Sequence, residues 1–405
     1  MHGEVLATGS RRGRFSDVQL IMAVFVMQPI AFGAWLPRIP EIQQKLGLGP
    51  ADLAIALLGL PIGILLTLPV AGRFVAHIGS RATILYGFPV FLAVVALPTF
   101  ASSQVALMAT LAIVGAALST LELGLNVEAD KIEKSSGALI MNSCHGFWSL
   151  GIMAGSLVGS ALAALAVAPH WSVLSCAVAV LPLALVSGKA LPAYPASGEF
   201  DQTPHAKWKL PGKTLAGICL FVFGITMTEG AIADWSAIFL RDVFAAETGL
   251  AGVGYAVFAG MVAAGRFGGD RLKRRLGAVT AARFCGFFSL AGMALVVLAP
   301  HPMLALAGFA CVGFGVSVGF PLAVTAAAGL TDRATAASVA ILSFVALFGF
   351  LIGPPMIGFV AETTGMRYGL ATLIPVLALS LAMTGMLRSV TSPQAEHIPG
   401  KTASK

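Results

Sequence analysis

The sequence predicts an all-α membrane protein, with twelve transmembrane helices in two pseudo-symmetric six-helix bundles. Three observations carry this. The 405 residues are 57% apolar and only 11% charged, with a mean hydropathy of +0.89, whereas soluble proteins carry about 25% charged residues. Apolar runs long enough to cross a bilayer, about 20 residues each, recur twelve times. The second half also repeats features of the first at a fixed offset of 198 residues.

Taken in order, residues 1–16 form a polar tail bearing Arg11, Arg12 and Arg14. The apolar run that follows is too long for a signal-peptide core, and no small-residue cleavage site follows it. The N-terminus is therefore expected to be mature and cytoplasmic. Spans are expected at 17–37, 51–72, 82–101, 104–127, 138–165 and 170–188 in a first bundle (17–188), then at 213–240, 249–269, 279–299, 302–327, 335–358 and 368–388 in a second (213–388). Residues 189–212, rich in proline and polar groups, read as a cytoplasmic linker, and 389–405 as a cytoplasmic tail. With the N-terminus inside, only Arg38, Lys45, Arg241 and Arg367 of the 25 basic residues fall outside, and the other 21 lie on the cytoplasmic side. That asymmetry obeys the positive-inside rule. The net charge of +7 is thus a topology signal, and no soluble domain exists to bind nucleic acid.

The internal register rests on several pairs. Gly79 maps to Gly277, Val114-Gly115 to Val312-Gly313, Gly151 to Gly349 and Gly155 to Gly353, while Trp35 and Trp235 lie 200 apart. Such duplication is common among secondary transporters. Gly151, Gly155 and Gly159 form a small-residue ridge suited to close helix packing or to sliding. The cysteines 144, 176, 219, 285 and 311 show neither a disulfide framework nor metal-ligand spacing. No cofactor or metal is expected, and no Walker-type phosphate loop or nucleophile–base pair points to an ATP-driven pump or an enzyme.

Polar residues inside the apolar runs are the candidate site. Residues 121–150 place Glu122, Asn126, Asn142 and His145 in apolar surroundings, around a charged stretch, 128–134, read as a connector. Glu122 and Asn126, four apart, share a helix face, and His145 enters to a comparable depth. An ionisable side chain at mid-membrane costs about 2.5–3.5 kcal/mol even on the gentlest scales. A carboxyl group in low dielectric can take up and release a proton as water access alternates. Glu122 therefore reads either as a proton carrier or as a protonated or His145-paired stitch between helices. On the seventh helix Glu229 sits about 16 Å from the periplasmic end and Asp234 about half that. Five residues apart, they point in different directions. Gly230 is expected to loosen this helix, and Asp234 either lines the cavity or gates it with Arg38 or Arg241. Trp35 and Trp235 are expected in a substrate cavity, where an indole can stack on a sugar ring, or else in an interfacial aromatic belt. Gln28 could add a hydrogen bond.

The second-to-third connector, Gly72-Arg73-Phe-Val-Ala76-His77-Ile-Gly79-Ser80-Arg81, resembles the cytoplasmic G-x-x-x-D-R-x-G-R-R signature of the major facilitator superfamily. The eighth-to-ninth connector, Asp270-Arg-Leu-Lys-Arg274-Arg275-Leu-Gly277, is similar. Both depart from it, with Ala76 and Arg274 where the family carries the acid that helps latch the cytoplasmic gate. The resemblance implies gating roles for Arg73, Gly79, Arg81, Arg266, Asp270, Arg274, Arg275 and Gly277, with Asp270 a substitute partner for Arg266 or Arg274. The stretches LELGLNVEADKIE, MNSCHGFWSLG, TEGAIADWSAIFL and GRFGGDR look like the YbjJ-like branch of bacterial inner-membrane carriers, near the fucose-permease type. Glu122-x-x-x-Asn126 is similar to the E-x-x-x-N in which those permeases carry protons. The fifth helix lacks the Gly-Pro pair of many drug exporters; Gly353-Pro354-Pro355 lies in the eleventh.

These features imply a monomeric secondary transporter of the bacterial inner membrane, moving a small polar, sugar-like solute with a coupling ion, most simply a proton, through Glu122, Glu229 and His145. Gln28, Trp35, Asn126, Asn142, Asp234 and Trp235 would line its cavity. Antiport export of amphipathic compounds is the alternative, and a non-transporting receptor on the same fold is a third reading.

Overall fold

The computed structural model of the protein describes residues 16–194, 211–331 and 334–388, so most of the expected linker and both tails, with Arg11, Arg12 and Arg14, lie outside the described residues. Among the described residues, twelve helices are long and apolar enough to cross a membrane. In the first half these are Asp17–Leu46, Pro50–Ile78, Ser80–Phe100, Gln104–Ser136, Met141–Ala164 and Pro169–Ala190. In the second they are Lys213–Phe244, Thr248–Leu276, Ala278–Leu298, Pro302–Ala328, Ala337–Thr364 and Met366–Leu387. No strand occurs among the described residues.

Each helix starts and stops where local chemistry dictates. Ser16 caps the first in a capping box with Gln19. Gly79 and Gly277, equivalent under the repeat, both end their helices with positive φ, 87° and 76°, a conformation glycine adopts without strain. Pro29 removes a donor and leaves the first helix broken between Met27 and Ile30.

Two expectations fail here. Residues 128–134 are no connector, because the fourth helix continues through them to Ser136. The charges there form helical contacts: Asp130 pairs with Lys134 at 2.6 Å, four residues apart. The Glu133 carboxylate accepts the N–H groups of Ile140 and Met141 at 2.6 and 2.9 Å, holding the next helix start. Nor does Gly230 loosen the seventh helix, which is continuous from Lys213 to Phe244. A Cβ at Gly230 would meet the Phe350 ring, so the glycine admits a neighbour.

The duplication is visible in the packing. A Cβ at Gly115 would strike the Leu60 carbonyl, and one at Gly313 the Phe258 carbonyl; Leu60 and Phe258 are themselves equivalent at the 198-residue offset. Gly151, Gly155 and Gly159 press on the Val26, Ile30 and Ala34 carbonyls of the first helix, and Gly349 meets the seventh in the same way through Phe223 and Met227. Each is a close approach of two backbones that a methyl group would block.

The ends of the bundle differ. At the end opposite the termini the halves are joined tightly: Arg241 donates to the Pro40 carbonyl at 2.9 Å and to Gln43 Oε1 at 2.8 Å. There too Glu362 accepts the Ala51 N–H at 3.0 Å, and Gly252 packs on Pro37 and Ser160. Toward the terminal end the fifth and eighth helices touch through Asn142 and Asp270, 2.9 Å apart, and through Phe147 and Phe267.

Candidate functional site

A cavity of about 320 Å³ lies between the halves, walled by the first, second, fourth and fifth helices on one side and the seventh, eighth and eleventh on the other. Its walls are largely apolar, with Phe32, Trp35, Tyr255, Phe258 and Phe350 among them, and its ionisable lining is Glu122, Glu229, Asp234, Arg266 and Tyr255. A second cavity, about 400 Å³, lies toward the terminal end and is lined by His145, Asn142, Arg266, Asp270 and Lys273 among others.

Arg266, expected among the gating residues, lines both cavities. It is 16% exposed and its Nη2 lies 3.4 Å from Glu229 Oε1, which is 18% exposed. Its Nη1 donates to Ser149 Oγ at 2.8 Å and to the His145 carbonyl at 3.2 Å. One guanidinium thus holds groups from both halves, as its planar fork of five donors permits. Glu122, across the cavity, is within electrostatic reach of Arg266. Depth marked this role: the eighth helix continues to Leu276, so Arg266 sits about 15 Å inside it at 1.5 Å per residue.

The structure brings together Glu122, Glu229, Asp234 and Trp35, and it separates the rest. Trp235 is fully buried, with its ring against Gly358, and is absent from the wall. Two residues out of the 198 register, it is turned about 200° on its helix relative to Trp35; the true equivalent, Ala233, does line the cavity. Gln28 is buried behind the wall, where it accepts from Trp148 Nε1. Asn126 Nδ2 turns back to the Glu122 carbonyl at 2.9 Å. Asn142 faces the second cavity and bonds Asp270, which makes no ion pair with Arg266 or Arg274. His145 also faces the second cavity, its ring edge-on to Phe25 at 5.7 Å, and makes no hydrogen bond with Glu122. Arg38 does not reach Asp234, because it pairs with Glu41 at 3.0 Å and donates to the Gly159 and Val167 carbonyls. Arg241 binds Asp242, Pro40 and Gln43.

At the terminal end the acid missing at position 76 has a neighbour of another kind. Glu128, fully buried, accepts from Ser80 Oγ at 2.6 Å, and Lys131 donates to the same hydroxyl at 3.1 Å. Arg81 donates to the Gly188 carbonyl at 3.4 Å and to that of Lys189. Arg73, Arg274 and Arg275 make no hydrogen bond or ion pair among the described residues. The overlooked participants are Ser149, Tyr255 and Phe350, whose types are too ordinary in an apolar chain to signal a site.

The comparisons fit this architecture. An uncharacterized MFS-type transporter of Yersinia pestis is 30% identical over 367 residues, covering 91% of this chain and 94% of that protein. The membrane protein MosC of Rhizobium meliloti is 27% identical over 90% of this chain and 88% of its own. Among solved structures, a variant of the nucleoside transporter NupG superposes with a TM-score of 0.73 at 14% identity, over 92% of this chain and all of that one. FucP in its outward conformation gives 0.63 at 16% identity, over 92% and 98%. A sequence profile described as Major Facilitator Superfamily matches residues 21–339, and with twelve spans around a shared central cavity the chain belongs to that superfamily, a membrane transporter and not an enzyme.

Proposed function

We propose that the protein is a proton-coupled carrier of the YbjJ-like branch, moving a small polar, sugar-like solute across the bacterial inner membrane by alternating access, with both termini cytoplasmic. The observation that carries this is the meeting of Glu122 and Glu229, from opposite halves, on one cavity with Arg266. Two acids sharing one cation form a switch. When Glu122 is protonated, Arg266 belongs to Glu229; when Glu122 loses its proton, its charge competes for the guanidinium, loosening the Arg266–Glu229 pair within the second half and drawing Arg266 toward the first. Glu122 is then the proton carrier and the Arg266–Glu229 pair the element that senses it. The orientation is supported by the positive-inside asymmetry. The polar-solute reading is supported by Trp35 on the wall, by the Glu122-x-x-x-Asn126 resemblance, and by a structural neighbour that is a nucleoside transporter.

The test begins with a thermal-shift screen of sugars and polyols on the purified protein at two pH values, since a ligand of the native state raises the melting temperature. Uptake of the hit into proteoliposomes should require an inward proton gradient. Glu122→Gln should bind the solute and lose gradient-driven accumulation; parental accumulation in that variant sinks the coupling role.

The apolar walls, including Phe32, Leu57, Ile64 and Phe258, favour a second reading, export of amphipathic compounds by antiport. A deletion strain would then become sensitive to such compounds, whereas loss of an importer leaves susceptibility unchanged.

A further inference from the structure

The charge inventory of the central cavity is lopsided. Three carboxyl groups, Glu122, Glu229 and Asp234, face one guanidinium. That guanidinium is already engaged, by Glu229, by Ser149 and by the His145 carbonyl, so an anionic solute would find no free cation on the wall.

Asp234 is the opposite case. Among the described residues it makes no hydrogen bond or ion pair. The two cations expected to pair with it are held elsewhere, Arg38 by Glu41 and two carbonyls and Arg241 by Asp242, Pro40 and Gln43. Tyr255 is the ionisable neighbour within its electrostatic reach. The cavity it lines is aromatic, with Trp35 and Phe32 from the first half and Tyr255, Phe258 and Phe350 from the second. A carboxylate out of water needs a partner, and aromatic faces attract cations and repel anions. At about 320 Å³ the cavity is at the small end of ligand sites, about 300–1,000 Å³, which suits a solute of monosaccharide size.

We propose that Asp234 and these aromatic rings bind an ammonium group of the carried solute, so that the substrate is a small polyhydroxylated amine. The inference rests on the carrier reading and adds a charge to its solute. Glu122 keeps the proton and Asp234 takes the amine, so solute and proton have separate carboxylates in one cavity.

The experiment uses the full-length protein in detergent and titrates matched probes by thermal shift: D-glucosamine against N-acetyl-D-glucosamine and D-glucose, and a panel of small primary amines against their N-acetyl twins. Acetylation removes the charge and keeps the skeleton. A charge-assisted contact predicts that amines reach half-effect at a concentration about tenfold lower than their twins. Asp234→Asn should bring the two within about twofold, and Asp234→Glu should retain part of the gap, with monodisperse elution of both variants showing that they fold. A panel in which no amine outbinds its twin overturns the inference, as does a gap that survives in Asp234→Asn. Uptake of a neutral sugar under a proton gradient without amine preference sinks the amine and leaves the carrier reading standing. Amine preference with no uptake or counterflow keeps the site and sinks the carrier reading.

Discussion

Arg266 places one charge against groups from three other helices, and its removal has two separable effects. In Arg266→Met the Glu229 carboxylate is left in a mostly apolar cavity without its partner. Breaking such a pair on one side costs on the order of 3 kcal/mol. Thermal unfolding of the variant in detergent should drop accordingly, and adding Glu229→Gln should restore most of the loss, since the penalty lies in the stranded charge. Transport should vanish in both, because neither retains the switch. A double variant no more stable than Arg266→Met would show that the two side chains are energetically independent. The site was legible in sequence where a charge interrupted an apolar run: Glu122, Glu229 and Asp234 stood out because nothing else explained them there. It was illegible where orientation decided. Asn126 is one turn from Glu122, yet satisfies itself on the Glu122 carbonyl. Trp235 mirrors Trp35 in residue type and differs by a two-residue slip that turns it into the packing. Arg266 received a gating role from the resemblance of the neighbouring connector, while its depth in the helix already put it beside the cavity.

The first and fifth helices pack backbone to backbone. Three glycines one turn apart, Gly151, Gly155 and Gly159, each lie against a carbonyl of the first helix, and Gly33 lies reciprocally against Ile152. Gly155→Ala gains helix propensity, about 1 kcal/mol, but its methyl group has no room, and overpacking costs about 1–3 kcal/mol. The net expectation is a loss of stability, read as a lower melting temperature, and a larger loss for Gly155→Val. Gly268 offers the control: nothing lies within 4 Å of a Cβ there, so Gly268→Ala should be neutral or stabilising. Of the fold, the number of spans and the repeat were plain because each follows from composition and local spacing. Helix ends were not, because hydropathy ends where charges begin while hydrogen bonding does not. The fourth helix runs to Ser136 through a charged stretch whose own side chains stabilise it. The continuity of the seventh helix past Gly230 was hidden for a related reason, since only the position of Phe350 tells a packing glycine from a hinge.

The two halves meet at the sealed end in a pattern that the repeat itself predicts. Gln43 and Arg241 are equivalent positions, 198 apart, and they touch each other. Equivalent residues meet only close to the axis that relates them, so the pseudo-two-fold axis runs through this contact, along the bundle, as in parallel repeats. Other contacts then come in mated pairs. Gly358 lies against Ala54, and their equivalents Ser160 and Gly252 also pack together. Glu362 lies against Gly49 and Ala51, and the equivalents of Glu362 and Ala51, Ala164 and Gly249, pack as well. One member of this last pair is apolar and the other polar. Glu362 supplies the helix at Pro50 with a cap that its own Gly49, which has no side chain, cannot provide. An N-terminal cap is worth about 1 kcal/mol, and this one exists only while the halves are joined at this end. It therefore favours the sealed state over one opened there. Glu362→Ala gives the contact the chemistry of its Ala164 mate, keeping the backbone approach and losing the cap. The expected result is a shift of the sealed-to-open ratio by about fivefold, following from 1 kcal/mol at RT of about 0.6. Hydrogen exchange should report it as faster deuteration in the segments 49–57 and 241–252, with the Met141–Ala164 helix unchanged near its centre. Glu362→Gln, which can still accept the Ala51 N–H, should sit between the two. Equal exchange in Glu362→Ala and the parent would mean that the cap does not bias the halves, and that packing at Gly252 and Gly358 alone holds the seal.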